Sequence, residues 1–191
     1  DVTGGALATS AERVFELTGC FGVRLDEARQ PELQEFYQGC ADYFELITGQ
    51  PPGPDEAREL LTSLPRGKTH DDKFVIGLFD APGHIVGVLG VIRDYPKPGE
   101  WYLGLLMFAP TWRSRRLGDR VYHRLEEWIR ELGGTAIHLI VQEQSPGALR
   151  FWQRFPFRIT LLYAIPVYAI LLVIAVSNTQ RGMAAELESL Q

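Results

Sequence analysis

The stretch "LLMFAPTWRSRRLGDRVYHRLEEWIRELGGTAIHLIVQE" runs from Leu105 to Glu143 and decides the fold. It begins with an apolar run that ends at Pro110. A basic turn follows, carrying Arg113, Arg115 and Arg116. From Leu117 to Leu132 the pattern is helical, with Leu117, Val121, Leu125, Trp128 and Leu132 on one stripe and Arg120, Arg124, Glu127 and Glu131 on the other. Thr135–Glu143 is a second apolar run, whose composition predicts a strand buried on both faces. A strand, a helix and a strand in this order require a parallel pair joined by a right-handed crossover. The helix start has a chemistry of its own. Its unpaired N–H groups and positive dipole end attract anions. Guanidinium groups match phosphate oxygens, and Gly118 permits close approach to the backbone. A pyrophosphate suits such a turn.

Upstream, "FGVRL" (Phe21–Leu25) is a short strand candidate. Pro31–Gly49 reads as one helix, with Pro31 in the first turn and Gly49 as the stop. "PDEARELLTSL" is a second helix with Asp55 and Glu56 in its first turn. "KFVIGLFDAPGHIVGVLGVIRDYP" holds two β-branched runs split by Asp80-Ala81-Pro82-Gly83, which predicts a hairpin. "GEWYLGLLMFAP" is the strand leading into the basic turn. Downstream, "SPGALRFWQRF" reads as a helix with Ser145 as N-cap and Pro146 in the first turn. The whole is an α+β domain: a mixed, mostly antiparallel sheet flanked by helices. Residues 1–20 read as a leader, without the basic and apolar regions of a signal peptide.

The 191 residues suffice for one domain with a proper core. A formal net charge of -5 supplies no global field for nucleic acid, so any anion site is local and no nucleic-acid partner is expected. Cys20 and Cys40 form no metal or redox spacing and read as reduced thiols in a reducing compartment. "THDDK" (Thr69–Lys73) reads as a polar loop before a strand, and no metal is expected.

Two segments together resemble the Gcn5-related N-acetyltransferases (GNAT). That family's acetyl-CoA turn reads Arg/Gln-x-x-Gly-x-Gly/Ala after a strand ending near a proline. This chain has Pro110, Arg113, Arg115, Leu117 and Gly118 in register. The second family signature is Asn-x-x-Ala-x-x-Phe-Tyr-x-x-x-Gly-Phe. Ser145, Ala148, Phe151, Trp152 and Phe157 occupy those places. The resemblance covers roughly residues 21–157. It implies a GNAT-like acyl-CoA N-acyltransferase fold and direct transfer of acetyl from acetyl-CoA to a primary amine, on a small molecule or a peptide. It also implies that Arg113, Ser114, Arg115, Arg116, Leu117, Gly118 and Asp119 meet the pyrophosphate, with Ser145 and Trp152 beside the cofactor. A backbone N–H near Met107 or Phe108 would polarise the thioester carbonyl. Glu100 is the candidate base, with Tyr102 two residues on and on the same face.

This chain departs from the pattern at four places. Arg116 stands at the first motif glycine, Ser145 at the asparagine and Pro156 at the glycine of Gly-Phe. Trp152 stands where many members carry the tyrosine that serves the leaving thiolate, and an indole is no practical acid. The alternative to an enzyme is a catalytically impaired acyl-CoA-binding or interaction module, in a truncated or fused domain.

After Arg158 no charge occurs before Arg181. As a helix, the 22 residues 159–180 would span about 33 Å, near a bilayer core. Arg150, Arg154 and Arg158 on the near side would hold the domain in the cytoplasm, anchored to the cytoplasmic face of the membrane. The competing reading makes 158–180 the last two strands of the domain, although "AIPV" carries poor hairpin chemistry. Residues 181–191 are a polar tail.

Overall fold

The computed structural model describes residues 13–113, 116–141, 145–155 and 159–163. Seven strands form one sheet in sequence order, β1 to β7. They are β1 (Arg13–Leu17), β2 (Cys20–Arg24), β3 (Lys73–Phe79), β4 (Ile85–Ile92), β5 (Glu100–Phe108), β6 (Ala136–Val141) and β7 (Ile159–Tyr163). The pairings from β1 to β5 are antiparallel, and β5–β6 and β6–β7 are parallel. The mixed, mostly antiparallel sheet therefore forms as expected.

Each face of the sheet is covered. Against one lie α4 (Leu117–Glu131) and α5 (Pro146–Trp152), packing on Ile76, Leu78, Leu89, Trp101 and Leu139. Against the other lie α1 (Gln30–Gln38), α2 (Ala41–Thr48) and α3 (Glu56–Thr62), packing on Val23, Val75, Val88 and Met107. Trp101 is buried between Phe74 and Trp128, with ring centroids 5.6 and 5.4 Å away.

Five boundaries differ from the sequence reading. The leader does not extend to residue 20, because Arg13–Leu17 is an edge strand. The buried Phe15 ring lies over β2 where Gly22 has no side chain: a Cβ there would sit 3.0 Å from the ring. The helix over 31–49 is two helices. Gly39 and Cys40 part them, the chain turning at Cys40 (φ -112, ψ 27) to bury its thiol. Gly49 does close α2, in the left-handed region at φ 76, donating to the Glu45 carbonyl. Leu132 is 51% exposed, and Ile129 takes its place in the core. The helix ends at Glu131, so Leu132 is its C-cap, while the i+4 row Leu117, Val121, Leu125 and Ile129 stays in the core. In β6, His138 and Ile140 are only half-buried, so that strand is not enclosed on both faces.

The fifth difference concerns the apolar tail. Ile159–Tyr163 pairs in parallel with Ile137–Val141, so a membrane helix starting at residue 159 does not form. The strand satisfies its backbone on β6 instead. Among the described residues no helix is long and apolar enough to cross a membrane. Residues 164–180, the polar tail, Ser114, Arg115, Pro156 and Phe157 lie outside the described residues.

Lys73 opens β3 and is buried, its Nζ donating to the Ser63 carbonyl at 2.5 Å. Burial pulls its pKa from 10.5 to about 8. Between those two values the unfolded chain holds a proton that the native state has released, so stability contributed at this site rises with pH across that window. Below about pH 8 the burial penalty on the ammonium is present in full. Lys73→Met removes this dependence. In urea unfolding at pH 7 and pH 10, the wild type is expected to gain on the variant at the higher pH. A constant difference would refute the assignment.

Candidate active site

The site lies where β5 and β6 part. Their pairing runs from Glu100↔Ala136 to Leu103↔Leu139 and stops, while β4 accompanies β5 as far as Phe108. At the parting point the β4–β5 register shifts between Gly90 and Val91, which makes Gly104 the extra residue of a bulge on β5. A bulge bends its strand and ends regular pairing nearby. The result is a cleft of about 210 Å³. Tyr102 to Leu106 of β5 and Leu139 to Val141 of β6 form its sides. Ser145, Ala148 and Trp152 close it from α5, and Tyr43 and Ile47 from α2.

Beyond the end of β5, a 3-10 turn (Pro110–Trp112) leads to α4. Arg116 precedes α4 at φ 55 and ψ 16, the left-handed region. The backbone thus keeps the geometry for which glycine is favoured, with an exposed arginine side chain added to it. Leu117 is buried in the core, so only its amide is available to a ligand. Gly118 has a second reason to be glycine: a Cβ there would lie 3.0 Å from the Phe151 ring. It sets the close packing of α4 on α5.

Two expected phosphate contacts are engaged elsewhere. Arg113 forms a two-pronged ion pair with Asp42 of α2, its Nη2 3.1 Å from Oδ1, and its Nε donates to the Phe108 carbonyl at 2.9 Å. The hydrogen bond from Arg113 holds the Asp42 carboxyl below its usual pKa. Asp119 accepts from Arg154 at 2.8 Å, tying α4 to the end of α5. Ser114 and Arg115 lie outside the described residues. Ser145 precedes α5, yet its side chain makes no cap hydrogen bond, and it faces the cleft instead.

Met107 and Phe108 do not sit at the parting point. They pair with Val88 and Gly87, beyond the cleft, and Met107 is buried against the α1–α3 layer. The stretch whose β6-facing edge is released at the cleft is Gly104–Leu106. The extra residue lies in the β4–β5 ladder, and no composition signal marks such a bulge beyond Gly104 itself.

Glu100 and Tyr102 stand on the stretch of β5 still paired with β6, the closed end, and of the two only Tyr102 lines the cleft. Glu100 Oε2 lies 2.9 Å from His138 Nε2, and its Oε1 lies 3.7 Å from Lys97 Nζ. Both members of the Glu100–His138 pair are about one-fifth exposed, at 21% and 17%. Tyr102 is directly opposite His138 across the parallel ladder. Its ring meets Tyr95 edge-on at 5.8 Å and lies against Gly104. Burial, with Tyr95 beside it, pushes its phenol up. Sequence reasoning missed His138. Its signal was a lone imidazole inside an otherwise apolar strand, in the row that the topology places beside Glu100. Among the described residues no group of His, Cys, Asp or Glu is arranged to hold a metal.

The acetyltransferase (GNAT) family model matches residues 31–157, which include both the basic turn and the α5 signature. The chain belongs to the GNAT family. No curated protein matches it. Among solved structures, an acetyltransferase from Thermus thermophilus is similar at 22% identity, over 73% of this chain and 87% of that one, with a TM-score of 0.63. An aminoglycoside acetyltransferase from an uncultured soil metagenomic sample, in complex with sisomicin, is similar at 16% identity, over 78% and 93% of the chains, TM-score 0.54. The PaiA N-acetyltransferase from Thermoplasma acidophilum, in complex with coenzyme A, is similar at 14% identity, over 71% and 87%, TM-score 0.51. At these identities the likeness establishes the GNAT fold of this chain.

Proposed function

We propose that this GNAT domain transfers an acetyl group from acetyl-CoA to a primary amine by direct attack in a ternary complex. One observation carries this reading: β5 and β6 part after Leu103 and Leu139 and open a cleft walled by α5, whose Phe151 packs on Gly118 at the start of α4. A narrow, mostly apolar slot suits an extended acyl-thioester arm, and a helix start with exposed Arg116 suits its diphosphate. The released edge of Gly104–Leu106 supplies backbone donors for the oxyanion that forms as the amine attacks. Glu100, held by His138, takes the proton from the amine at the closed end. Arg115 and Ser114, beside Arg116, add to the diphosphate site. Acceptors are amines on small molecules or peptides, with no role for nucleic acid given the acidic balance of the chain.

Calorimetry with coenzyme A tests the binding half, and thiol release from acetyl-CoA across peptides, polyamines and aminoglycosides tests the chemistry. Folded protein with no affinity for coenzyme A overturns the reading. The engagement of Arg113 and Asp119 in ion pairs, with Trp152 in the cleft, favours a second reading as an acyl-CoA-binding module of impaired activity. Binding without release of thiol for any amine would select it.

Arg116 gives a prediction with two signs. Arg116→Gly removes a left-handed arginine, relieving about 1–2 kcal/mol, offset by the larger chain entropy of glycine, about 0.5–1 kcal/mol. Net stabilisation by roughly 0.5–1 kcal/mol is expected in urea unfolding. Affinity for coenzyme A should fall about two- to fivefold, since an exposed cation is lost. Tighter binding would show instead that the side chain obstructs the turn.

A further inference from the structure

The thiol that leaves in the proposed transfer needs a partner, and the cleft offers few. Among the described residues that line it, only Tyr43, Tyr102, Ser145 and Trp152 carry side-chain polar atoms. The indole of Trp152 has a single N–H that does not function as an acid, and an aliphatic hydroxyl such as Ser145 is a far weaker acid than a phenol. Two phenols remain. Tyr102 belongs to the closed end, in register with His138 and against Tyr95, where β5 and β6 are still paired. Tyr43 comes to the cleft from α2, outside the β5–β6 ladder. It packs with the α1–α3 layer, whereas Trp152 packs with the α4–α5 layer, so the two come to the cleft from opposite faces of the sheet.

Tyr43 is also held in place. Its neighbour Asp42 carries the two-pronged pair with Arg113, and Arg113 grips the end of β5 through the Phe108 carbonyl. The arginine that the basic turn would have offered to phosphate instead fastens α2 to the end of β5. The Tyr43 ring meets Phe44 edge-on at 5.6 Å, and Ile47, one helical turn on, lines the same wall. Burial raises the phenol, keeping it protonated at neutral pH.

We propose that Tyr43 is a catalytic residue of the transfer, its hydroxyl hydrogen-bonding the departing sulphur and giving it a proton. The proposal rests on the acetyl-transfer reading. The amine nitrogen forms the new C–N bond, the C–S bond breaks with its electron pair going to sulphur, and the Tyr43 proton completes the thiol. The proton released by the amine, taken up at Glu100, balances the one that the phenolate regains from water. Asp42 and Arg113 are positioning residues for Tyr43.

Coenzyme A itself is the probe, because a hydrogen bond to a thiolate lowers the pKa of its thiol. Ultraviolet absorbance of the thiolate, titrated in the complex with the full chain, reads that value. Tyr43→Phe is expected to raise the midpoint of bound coenzyme A by about one pH unit, with affinity changed little. Tyr102→Phe and Ser145→Ala should leave it in place. Asp42→Asn, which keeps the phenol but weakens its anchor, should give a smaller rise and stands in for Tyr43→Phe if that variant does not fold. In turnover, Tyr43→Phe should lose less with an acetyl aryl thioester, whose thiolate needs no acid. Trp152→Tyr in the Tyr43→Phe background should recover part of the loss. An unchanged midpoint in Tyr43→Phe, or a shift confined to Tyr102→Phe, overturns the assignment while leaving the acetyltransferase reading intact. Failure of the wild type to bind coenzyme A overturns that reading first.

Discussion

Glu100→Gln is expected to lower kcat by about two to four orders of magnitude for any amine that the wild type acetylates, the usual worth of a placed general base. The amide keeps the shape of the carboxylate and still reaches His138, 2.9 Å away, so the fold should be unaffected. What is lost is the ability to take a proton. Affinity for coenzyme A should not change, because Glu100 lies at the closed end, before the strands part. The loss should also shrink as the pH is raised toward the pKa of the acceptor, since an amine already neutral needs no base. His138→Asn separates the partners. If His138 orients Glu100, kcat falls and its pH profile moves. If the pair is merely structural, thermal stability falls and the profile stays. Glu100→Gln with full activity would remove Glu100 from the chemistry.

Ala148→Trp should weaken the binding of coenzyme A about a hundredfold without unfolding the protein. Ala148 lies on α5 at the wall of a cleft of only about 210 Å³, and an indole there occupies much of the space a thioester arm needs. A loss of about a hundredfold in affinity, close to 2.7 kcal/mol, is the expected scale. Ala148 is half-buried, packing on the core of the α4–α5 layer while it lines the cleft, so Tm should fall by a few degrees. Calorimetry and a thermal melt on one sample check both statements. Retained affinity would mean that the ligand arm does not lie between β5 and β6.

The cleft and the turn at its mouth are built from different kinds of information. Pro110, the arginines and the amphipathic helix are local features. Each follows from residues within a few positions of one another, and the structure places α4 over Leu117–Glu131 as the pattern predicts. The use of Arg113 is not local. Its partner Asp42 is 71 positions away, and nothing around Asp42 announces the contact. An arginine in a basic turn looks available for phosphate until the fold brings a carboxylate to it. His138 is similar: alone it is a histidine in a strand, and the parallel pairing puts it beside Glu100.

The point where the strands part shows the same division. The apolar run Leu105–Phe108 was legible as a strand, but the residue at which it parts from β6 was not. That point depends on a one-residue bulge, and a shift of one residue reverses which amides face the cleft. Strand β1 escaped detection because Phe15 alone of Val14–Leu17 is fully buried, and the strand is otherwise held by its ladder with β2. The strand β7 was hidden inside a run apolar enough for a membrane, since an uncharged run of Ile, Leu and Tyr suits a strand and a membrane helix alike.

By itself, then, the sequence determined the order of elements, the crossover, the hairpin and the basic helix start, because each arises from short-range periodicity, turn chemistry and the helix dipole. The tertiary structure alone decided where the strands part, which arginine is already paired, and which phenol and imidazole reach the site. Those are facts about residues far apart in the chain, set by register and packing across the sheet, and no local pattern encodes them.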